Sequence, residues 1–393
     1  MKKTRLISSL LLIIMSLLLI FTACGSVAEE TTPVDTASCQ PPATKEPEES
    51  PAETASEQAA QCTPATTDGS ASMPQTTANG FYPWMVYWDN ETAISESSAL
   101  SSVMGSISVF AAYFKQDDGI VFPQTSEDTL QAVRGAYGTS VKTYLTFVND
   151  IKYDNGESSL KDVDLLKRLF SSSTRMNAHI DEIISLAKQK GVDGIEIDYE
   201  DIKGDDALWQ LFSEFLTALK DKTSSEGLEL RVVLETSALG KAAFPAGPEY
   251  VVMIYNLYGS HSDEPGPKAD ESFILETAAK SVCLGPNVCF AFATGGFDWS
   301  SIGEITSLNE KDAIETVQAT NSTPVRDKSS GALSFTYQNE ASHTVWYADG
   351  ETLCFWMDTA KTAGIKNFAL WRLGGNSEKS LRVIADYLDS DAF

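Results

Sequence analysis

Short apolar runs alternate with amphipathic segments from about residue 81 to the end of the chain. Several of the runs are nearly all apolar, as strands buried on both faces are, and eight of them predict strands: Trp84–Trp88, Ser106–Phe114, Lys142–Val148, Gly194–Tyr199, Glu229–Leu234, Tyr250–Tyr255, Val288–Ala293 and Asn367–Trp371. Helices are predicted at Arg175–Lys190, Ala207–Lys222 and Glu378–Leu388. The regular alternation predicts an α/β fold with a parallel sheet, and eight strands favour its closure into a (β/α)₈ TIM barrel over residues 80–393.

One long polar stretch, Asn309–Gly350, separates the seventh predicted strand from the eighth. It contains two further strand-like runs, Leu333–Tyr337 and Thr344–Tyr347. We therefore expect a small hairpin or subdomain to be inserted at this point of the barrel.

The N-terminus has the layout of an export signal. Lys2, Lys3 and Arg5 precede an apolar run, Leu6–Phe21, that is short for a membrane span. Small residues directly precede Cys24, and this segment resembles the bacterial lipobox. That resemblance implies a signal peptide over residues 1–23, a lipid on Cys24 and attachment to the extracellular face of the membrane of a Gram-positive-like bacterium. An ordinary secretory signal or an uncleaved anchor is the alternative.

Residues 24–79 predict a disordered acidic stalk. From residue 25 onward this stretch holds no Ile, Leu, Phe, Tyr or Trp, so it cannot bury enough apolar surface to fold. Its two further cysteines, Cys39 and Cys62, either pair with each other or remain reduced. In the barrel region Cys283 and Cys289 are close enough in sequence to pair, and Cys354 has no obvious partner.

Charge and composition exclude several functions. The chain of 393 residues has a formal net charge of −26, which repels nucleic-acid phosphates. With three His and six scattered Cys, a metal site rich in these ligands is not expected. The sequence therefore predicts neither nucleic-acid binding nor a metal.

A row of acidic residues lies at the C-terminal end of the fourth predicted strand. Because strand side chains alternate between two faces, Glu196, Asp198 and Glu200 share one face. A low-dielectric interior would raise the pKa of at least one of these carboxyls, and a protonated carboxyl beside an ionised one suits general acid catalysis at a glycosidic oxygen. An acidic, solvated edge strand is the alternative, but barrel active sites lie where this row lies, at the C-terminal ends of the strands.

The same row carries a family resemblance. Asp193, Gly194, Asp198 and Glu200 match the Asp-Gly-x-Asp-x-Asp-x-Glu signature of glycoside hydrolase family 18, and Glu196 replaces its middle Asp. Further segments resemble that family's sixth and eighth strands and its subgroup that trims peptidoglycan and spore cortex: Met253–Gly259, Phe368–Gly374, Gly295–Trp299 and Thr344–Asp349. In the segment that begins at Met253, Asn256 replaces the family's Asp. In the peptidoglycan and spore-cortex subgroup, a Tyr usually stands where this chain has Gly295. The resemblance spans essentially 81–393.

The resemblance implies retaining, substrate-assisted hydrolysis of a β-1,4 bond next to N-acetylglucosamine. Glu200 would protonate the leaving oxygen and later activate water. Asp198 would hold the acetamido N–H, and Tyr255 would donate to the acetamido carbonyl. The implied partner is a glycan containing N-acetylglucosamine, and the implied chemistry uses no metal and no cofactor.

Other residues are candidates for supporting roles. Trp371 is expected to form the floor of the sugar site, with core packing as the alternative. Asn256 either binds the sugar or Glu200 or is satisfied by backbone groups. The remaining candidates are Met253 as a lining residue, Asn149 as a sugar contact, and Asp193 and Glu196 as supports of the acidic row.

Three functions compete at this stage. An active glycosidase on peptidoglycan or chitin-type glycans fits the intact Glu200, Asp198 and Tyr255. A weak or inactive surface lipoprotein that binds N-acetylglucosamine oligomers is the alternative that the changes at Glu196 and Asn256 leave open. A solute-binding lipoprotein fits less well, because its two-lobed layout would not place an acidic row on a central strand.

Overall fold

The computed structural model describes residues 80–390. Its strands are β1 Phe81–Val86, β2 Ser106–Phe114, β3 Ile120–Val121, β4 Lys142–Lys152, β5 Ser158–Ser159, β6 Gly194–Asp198, β7 Glu229–Glu235, β8 Glu249–Met253, β9 Val288–Phe292, β10 Gly295–Ser300, β11 Ile305–Leu308, β12 Val325–Arg326, β13 Leu333–Gln338, β14 Ser342–Ala348 and β15 Asn367–Leu370. Its α-helices are α1 Asn90–Ser97, α2 Gln124–Tyr137, α3 Val163–Leu169, α4 Ser173–Lys190, α5 Asp206–Glu226, α6 Glu271–Ser281, α7 Glu310–Thr320, α8 Gly350–Thr362 and α9 Glu378–Ser390.

Eight parallel strands form a closed barrel, as the alternation predicts. Their order around the barrel is β1, β2, β4, β6, β7, β8, β9 and β15, and β15 pairs with β1 to close the ring. The short strands β3 and β5 are added antiparallel to β2 and β4. All eight predicted strands are confirmed, with ends that differ by a few residues.

The insertion between β9 and β15 is larger than the predicted Asn309–Gly350. It is a five-stranded antiparallel sheet in the order β11-β10-β14-β13-β12, with α7 packed on one face. The sheet begins at β10, directly after the barrel strand β9, because Gly295–Ser300 pairs with Ala348–His343 across some fifty residues of chain. That pairing is not local, so the periodicity of the sequence does not reveal it.

Local signals explain where the helix α4, the strand β6 and the helix α5 begin and end. Helix α4 ends at Gly191, which takes a left-handed conformation with φ +60°. Gly194 then starts β6 against the Tyr144 ring, and a Cβ at this glycine would lie 2.3 Å from that ring. The Asp205 side chain caps α5 by accepting the backbone N–H of Leu208. These residues place the acidic row at one end of β6.

Two apolar layers surround the barrel wall. The outward side chains of β6, Ile195 and Ile197, pack in the main core between the strands and the helices. A smaller cluster inside the barrel contains Trp84, Met253 and Cys289. No helix among residues 80–390 is long and apolar enough to cross a membrane.

The predicted cysteine pair in the barrel region does not form. Cys289 is buried inside the barrel, whereas the Cys283 thiol donates to the carbonyl of Lys280 at the end of α6. The side chains therefore lie on opposite sides of the barrel wall. The predictions for the signal peptide, for Cys24 and for the stalk with Cys39 and Cys62 concern residues outside the described range and stay predictions.

Candidate active site

The predicted site residues lie at the mouth formed by the C-terminal ends of the barrel strands. Glu200 follows β6 by two residues, Tyr255 follows β8 by two, and Trp371 directly follows β15. Because all eight strands are parallel, these ends meet on one side of the barrel. Tyr255 and Trp371 both pack, half-buried, against the cluster inside the barrel that includes Trp84.

The innermost acid of the row, Glu196, is fully enclosed by donors. Its carboxylate accepts hydrogen bonds from Trp84 Nε1 at 2.6 Å, Thr146 Oγ1 at 2.7 Å and Ser108 Oγ at 2.9 Å, and it pairs with Arg231 Nη1 at 3.3 Å. A buried charge with this many partners is satisfied within the protein. Glu196 therefore supports the barrel interior and has little capacity left for a substrate. Its predicted support of the acidic row stays a prediction.

Arg231, the partner of Glu196, was not predicted as a site residue. It is buried inside the barrel between the rings of Tyr82 and Tyr144, whose centroids lie 4.2 and 4.1 Å from its guanidinium carbon. A second carboxylate, Glu249, accepts from Arg231 Nε at 2.9 Å. One guanidinium thus pairs with two carboxylates in the layer beneath the site.

Asp198 has the opposite environment. It is buried, and its Oδ1 has no hydrogen-bond partner among residues 80–390. Burial raises the pKa of Asp198 well above its usual value, and the charges of Glu200 and Glu196 raise it further. An unpartnered buried carboxylate oxygen is costly in the free protein, so a ligand N–H is the group that would satisfy it.

Burial and a neighbouring cation act on the pKa of Glu200 in opposite directions. Its Oε2 accepts a hydrogen bond from Lys161 Nζ at 2.7 Å, and its side chain keeps 15% exposure. Burial raises the pKa of Glu200 above its usual value, and the Lys161 ammonium limits that rise. A raised pKa favours the protonated form that a general acid needs, and the contact with Lys161 stabilises the carboxylate that remains after the proton is given up.

Asn149 fixes the backbone of Glu200. Its side-chain Oδ1 accepts from the Glu200 backbone N–H at 2.9 Å, and its Nδ2 donates to the Glu200 carbonyl at 3.1 Å. Asn149 is buried, so the structure gives it a role in placing the acid. The expected contact between Asn149 and a sugar stays a prediction.

The aromatic residues form one wall of the mouth. The ring of Trp371 meets Trp84 and Phe110 edge to face, with centroids 5.8 and 5.1 Å apart. Burial raises the pKa of Tyr255 well above its usual value, and Glu200 and Asp198 raise it further, so its hydroxyl stays a donor. Met253 is buried in the cluster inside the barrel.

Two predicted residues lie apart from this group. Asp193 precedes β6 at the opposite end of the barrel, where its carboxylate accepts the backbone N–H of Thr143 at 2.8 Å and so fixes the pairing of β6 with β4. It supports the strand, as expected, but lies far from the mouth. Asn256 is exposed, and its contact with a sugar or with Glu200 stays a prediction.

Lys161 and Glu235 were missed at the sequence level. Glu235 ends β7, accepts from the backbone N–H of Asp201 at 3.2 Å, and lies close enough to Glu200 to raise its pKa. Lys161 comes from the loop between β5 and α3, which no periodicity marks. Only the parallel pairing of β4 with β6 could have suggested a contact between this loop and Glu200.

A closed eight-stranded barrel with a carboxyl pair and an aromatic wall at its mouth fits a glycoside hydrolase. The chain belongs to the family described as glycosyl hydrolases family 18, whose model matches residues 83–376.

Known relatives share most of the barrel at low identity. The uncharacterised glycosylase YvbX of Bacillus subtilis (strain 168) is 24% identical over 269 residues, covering 62% of this chain and 74% of that protein. The cortical fragment-lytic enzyme of Bacillus cereus is 23% identical over 317 residues, covering 75% and 71%. A class V chitinase from Nicotiana tobaccum, solved in complex with NAG4, has a TM-score of 0.63 at 15% identity and covers 79% of this chain and 98% of its own.

Proposed function

We propose that the protein hydrolyses β-1,4 bonds next to N-acetylglucosamine with retention of configuration. The observation that carries the proposal is the pair at the end of β6. Glu200 is a carboxyl with a raised pKa at the mouth, and Asp198 beside it has a buried oxygen without a partner among residues 80–390. These two environments suit an acid and an acceptor for an amide N–H, respectively.

In the first step Glu200 donates its proton to the glycosidic oxygen. The carbonyl oxygen of the substrate's own 2-acetamido group attacks C1 as the bond to the leaving sugar breaks, which gives an oxazolinium ion and a free alcohol. Asp198 accepts a hydrogen bond from the acetamido N–H and stabilises the positive charge. The Tyr255 hydroxyl donates to the acetamido oxygen and orients the attack.

In the second step water attacks C1 from the side that the leaving sugar vacated. Glu200, now ionised, takes the proton of that water, and the C1–oxygen bond of the oxazolinium ring breaks to restore the acetamido group. Two inversions give net retention. Trp371 would lie beneath the sugar ring throughout, because it directly follows β15 at the mouth and its half-buried ring packs beside Phe110.

We infer that the substrate is a peptidoglycan or chitin-type glycan. Two relatives support this substrate class by their descriptions, one a cortical fragment-lytic enzyme and the other a chitinase in complex with NAG4. The polymers share the 2-acetamido group that acts as the nucleophile in this mechanism. We further propose that a lipid on Cys24 holds the enzyme at the extracellular face of the membrane, on the basis of the basic residues, the apolar run and the small residues before this cysteine.

The test compares full-length wild type with Glu200→Gln in detergent. The substrates are a fluorogenic chitotrioside and purified peptidoglycan. We expect wild type to release product and Glu200→Gln to lose at least about 10²-fold in kcat, because the variant has no proton to donate. Glu214→Gln, an exposed glutamate on α5, is the matched control and should keep full activity.

Binding without turnover would contradict the proposal. If wild type and Glu200→Gln both bind N-acetylglucosamine oligomers and neither releases product, the chain is a sugar-binding relative. Equal activity of the two proteins would assign the acid role to another residue.

A further inference from the structure

We propose that Lys161 is a positioning residue for the reaction: its ammonium group holds the Glu200 carboxylate and favours the ionised form that the second step needs. This inference rests on the proposed role of Glu200. The structural basis is the 2.7 Å contact between Lys161 Nζ and Glu200 Oε2, which joins two residues 39 positions apart in the chain.

The contact is held in place by the backbone on both sides. The backbone N–H of Lys161 donates to Asp150 Oδ1 at 2.8 Å, and the backbone N–H of Asp162 donates to the Asn149 carbonyl at 2.7 Å. Asn149 in turn binds the backbone N–H and carbonyl of Glu200. Two adjacent residues of β4 therefore anchor the backbones of both partners, so the fold brings the two side chains together.

The neighbours of Glu200 show why a cation is needed. The titratable groups that face it come from four elements and the loop after β5: Asp198 beside it on β6, Asp150 on β4, Glu235 on β7, Tyr255 after β8 and Lys161. The carboxylates among them and burial disfavour an ionised Glu200. Lys161 supplies the positive charge that opposes them.

The two steps of hydrolysis make opposite demands on Glu200. The first step needs its proton, and the second needs its carboxylate. Without Lys161, burial and the surrounding acids would hold the proton more firmly, so Glu200 would be a weaker acid toward the glycosidic oxygen and its ionised form would be less stable. The Lys161 side chain is 45% exposed, which gives the ammonium room to move into solvent when the leaving sugar approaches.

The experiment measures kcat/KM against pH for the full-length chain. The basic limb of this profile reports the pKa of the acid in the free enzyme. Removing the cation in Lys161→Met should raise that pKa and move the basic limb to higher pH by about one unit. Lys161→Arg keeps the charge and should restore the wild-type limb. Lys203→Met is the matched control, because this exposed lysine pairs with Asp201 on the loop after Glu200.

A basic limb that stays in place in Lys161→Met, at an unchanged melting temperature, overturns the proposal, and so does an equal movement in Lys203→Met. If Lys161→Met fails to fold, Lys161→Gln is measured in its place. If wild type has no turnover, the proposed function fails, but the pairing is still tested by ¹³C NMR titration of the Glu200 carboxyl, assigned by its loss in Glu200→Gln. Its midpoint must rise in Lys161→Met, and an unchanged midpoint overturns the inference.

Discussion

Asp198 and Glu196 lie two residues apart on one strand, but their carboxyl groups differ in their hydrogen-bond partners. Glu196 accepts from three neutral donors and from the Arg231 guanidinium, whereas Asp198 keeps a buried oxygen without a partner among residues 80–390. The difference follows from depth, since Glu196 reaches the polar layer around Arg231 and Asp198 lies above it. We therefore expect Asp198 to lower the stability of the free protein in exchange for function.

The change Asp198→Asn tests this cost. Because the pKa of Asp198 is raised in the folded state, the folded protein binds more protons than the unfolded chain, and stability falls as pH rises from about 4 toward the folded pKa. Asp198→Asn removes that loss. At pH 7 we expect its melting temperature to be higher by about 2–4 °C and its turnover to be lower by about 10²-fold.

Thermal unfolding from pH 4 to pH 8 checks this expectation. The gain in Asp198→Asn should shrink toward pH 4, where wild-type Asp198 is protonated as well. Asp221→Asn, an exposed aspartate on α5, should show no gain at any pH. A melting temperature of Asp198→Asn that stays below wild type at pH 7 would show that the aspartate is stabilising.

At the scale of elements, hydrogen bonds to one carboxylate attach the loop after β15 to helix α1. Buried Glu96 accepts the backbone N–H groups of Gly374, Gly375 and Asn376 at 2.7 to 3.0 Å. This loop directly follows Trp371, the expected floor of the sugar site. The carboxylate of α1 thus fixes the end of the last barrel strand.

Weakening this attachment should affect both stability and sugar binding. Glu96→Gln keeps the shape but loses the charge and part of the acceptor capacity, which costs about 1–3 kcal/mol. We expect a lower melting temperature and a KM for chitooligosaccharides that rises more than kcat falls, since Trp371 is then less well placed. Glu91→Gln, exposed on the same helix, is the control and should match wild type. An unchanged melting temperature of Glu96→Gln would refute the role of the attachment.

The elements also show what the sequence could predict. The strands, three helices and the acidic row follow from local periods and a spaced motif, so Glu200, Tyr255 and Trp371 could be placed at strand ends. The start of the insertion could not be predicted from the sequence, because β10 is defined by its pairing with β14. Nor could the Lys161–Glu200 contact, which depends on how a loop after β5 is anchored to β4.

On the scale of the whole molecule, closure of the barrel assembles the site from distant parts of the chain. β1 and β15 are separated by most of the described residues, yet their pairing brings Trp84 and Trp371 into contact. Trp84 of β1 and Ser108 of β2 likewise donate to Glu196 of β6 from the first part of the described chain. Motif positions can be named before the barrel is known, but their partners across it cannot.

The remaining question at this scale is how the barrel is attached to the cell. A lipid on Cys24 would contribute about 0.8 kcal/mol of membrane affinity per buried methylene. We expect wild type expressed in a Gram-positive host to incorporate labelled palmitate and Cys24→Ser to incorporate none. Cys39→Ser, which changes another cysteine of the same N-terminal region, should keep the label. Label that persists in Cys24→Ser would place the lipid elsewhere, and wild type without label would favour an ordinary secretory signal or an uncleaved anchor.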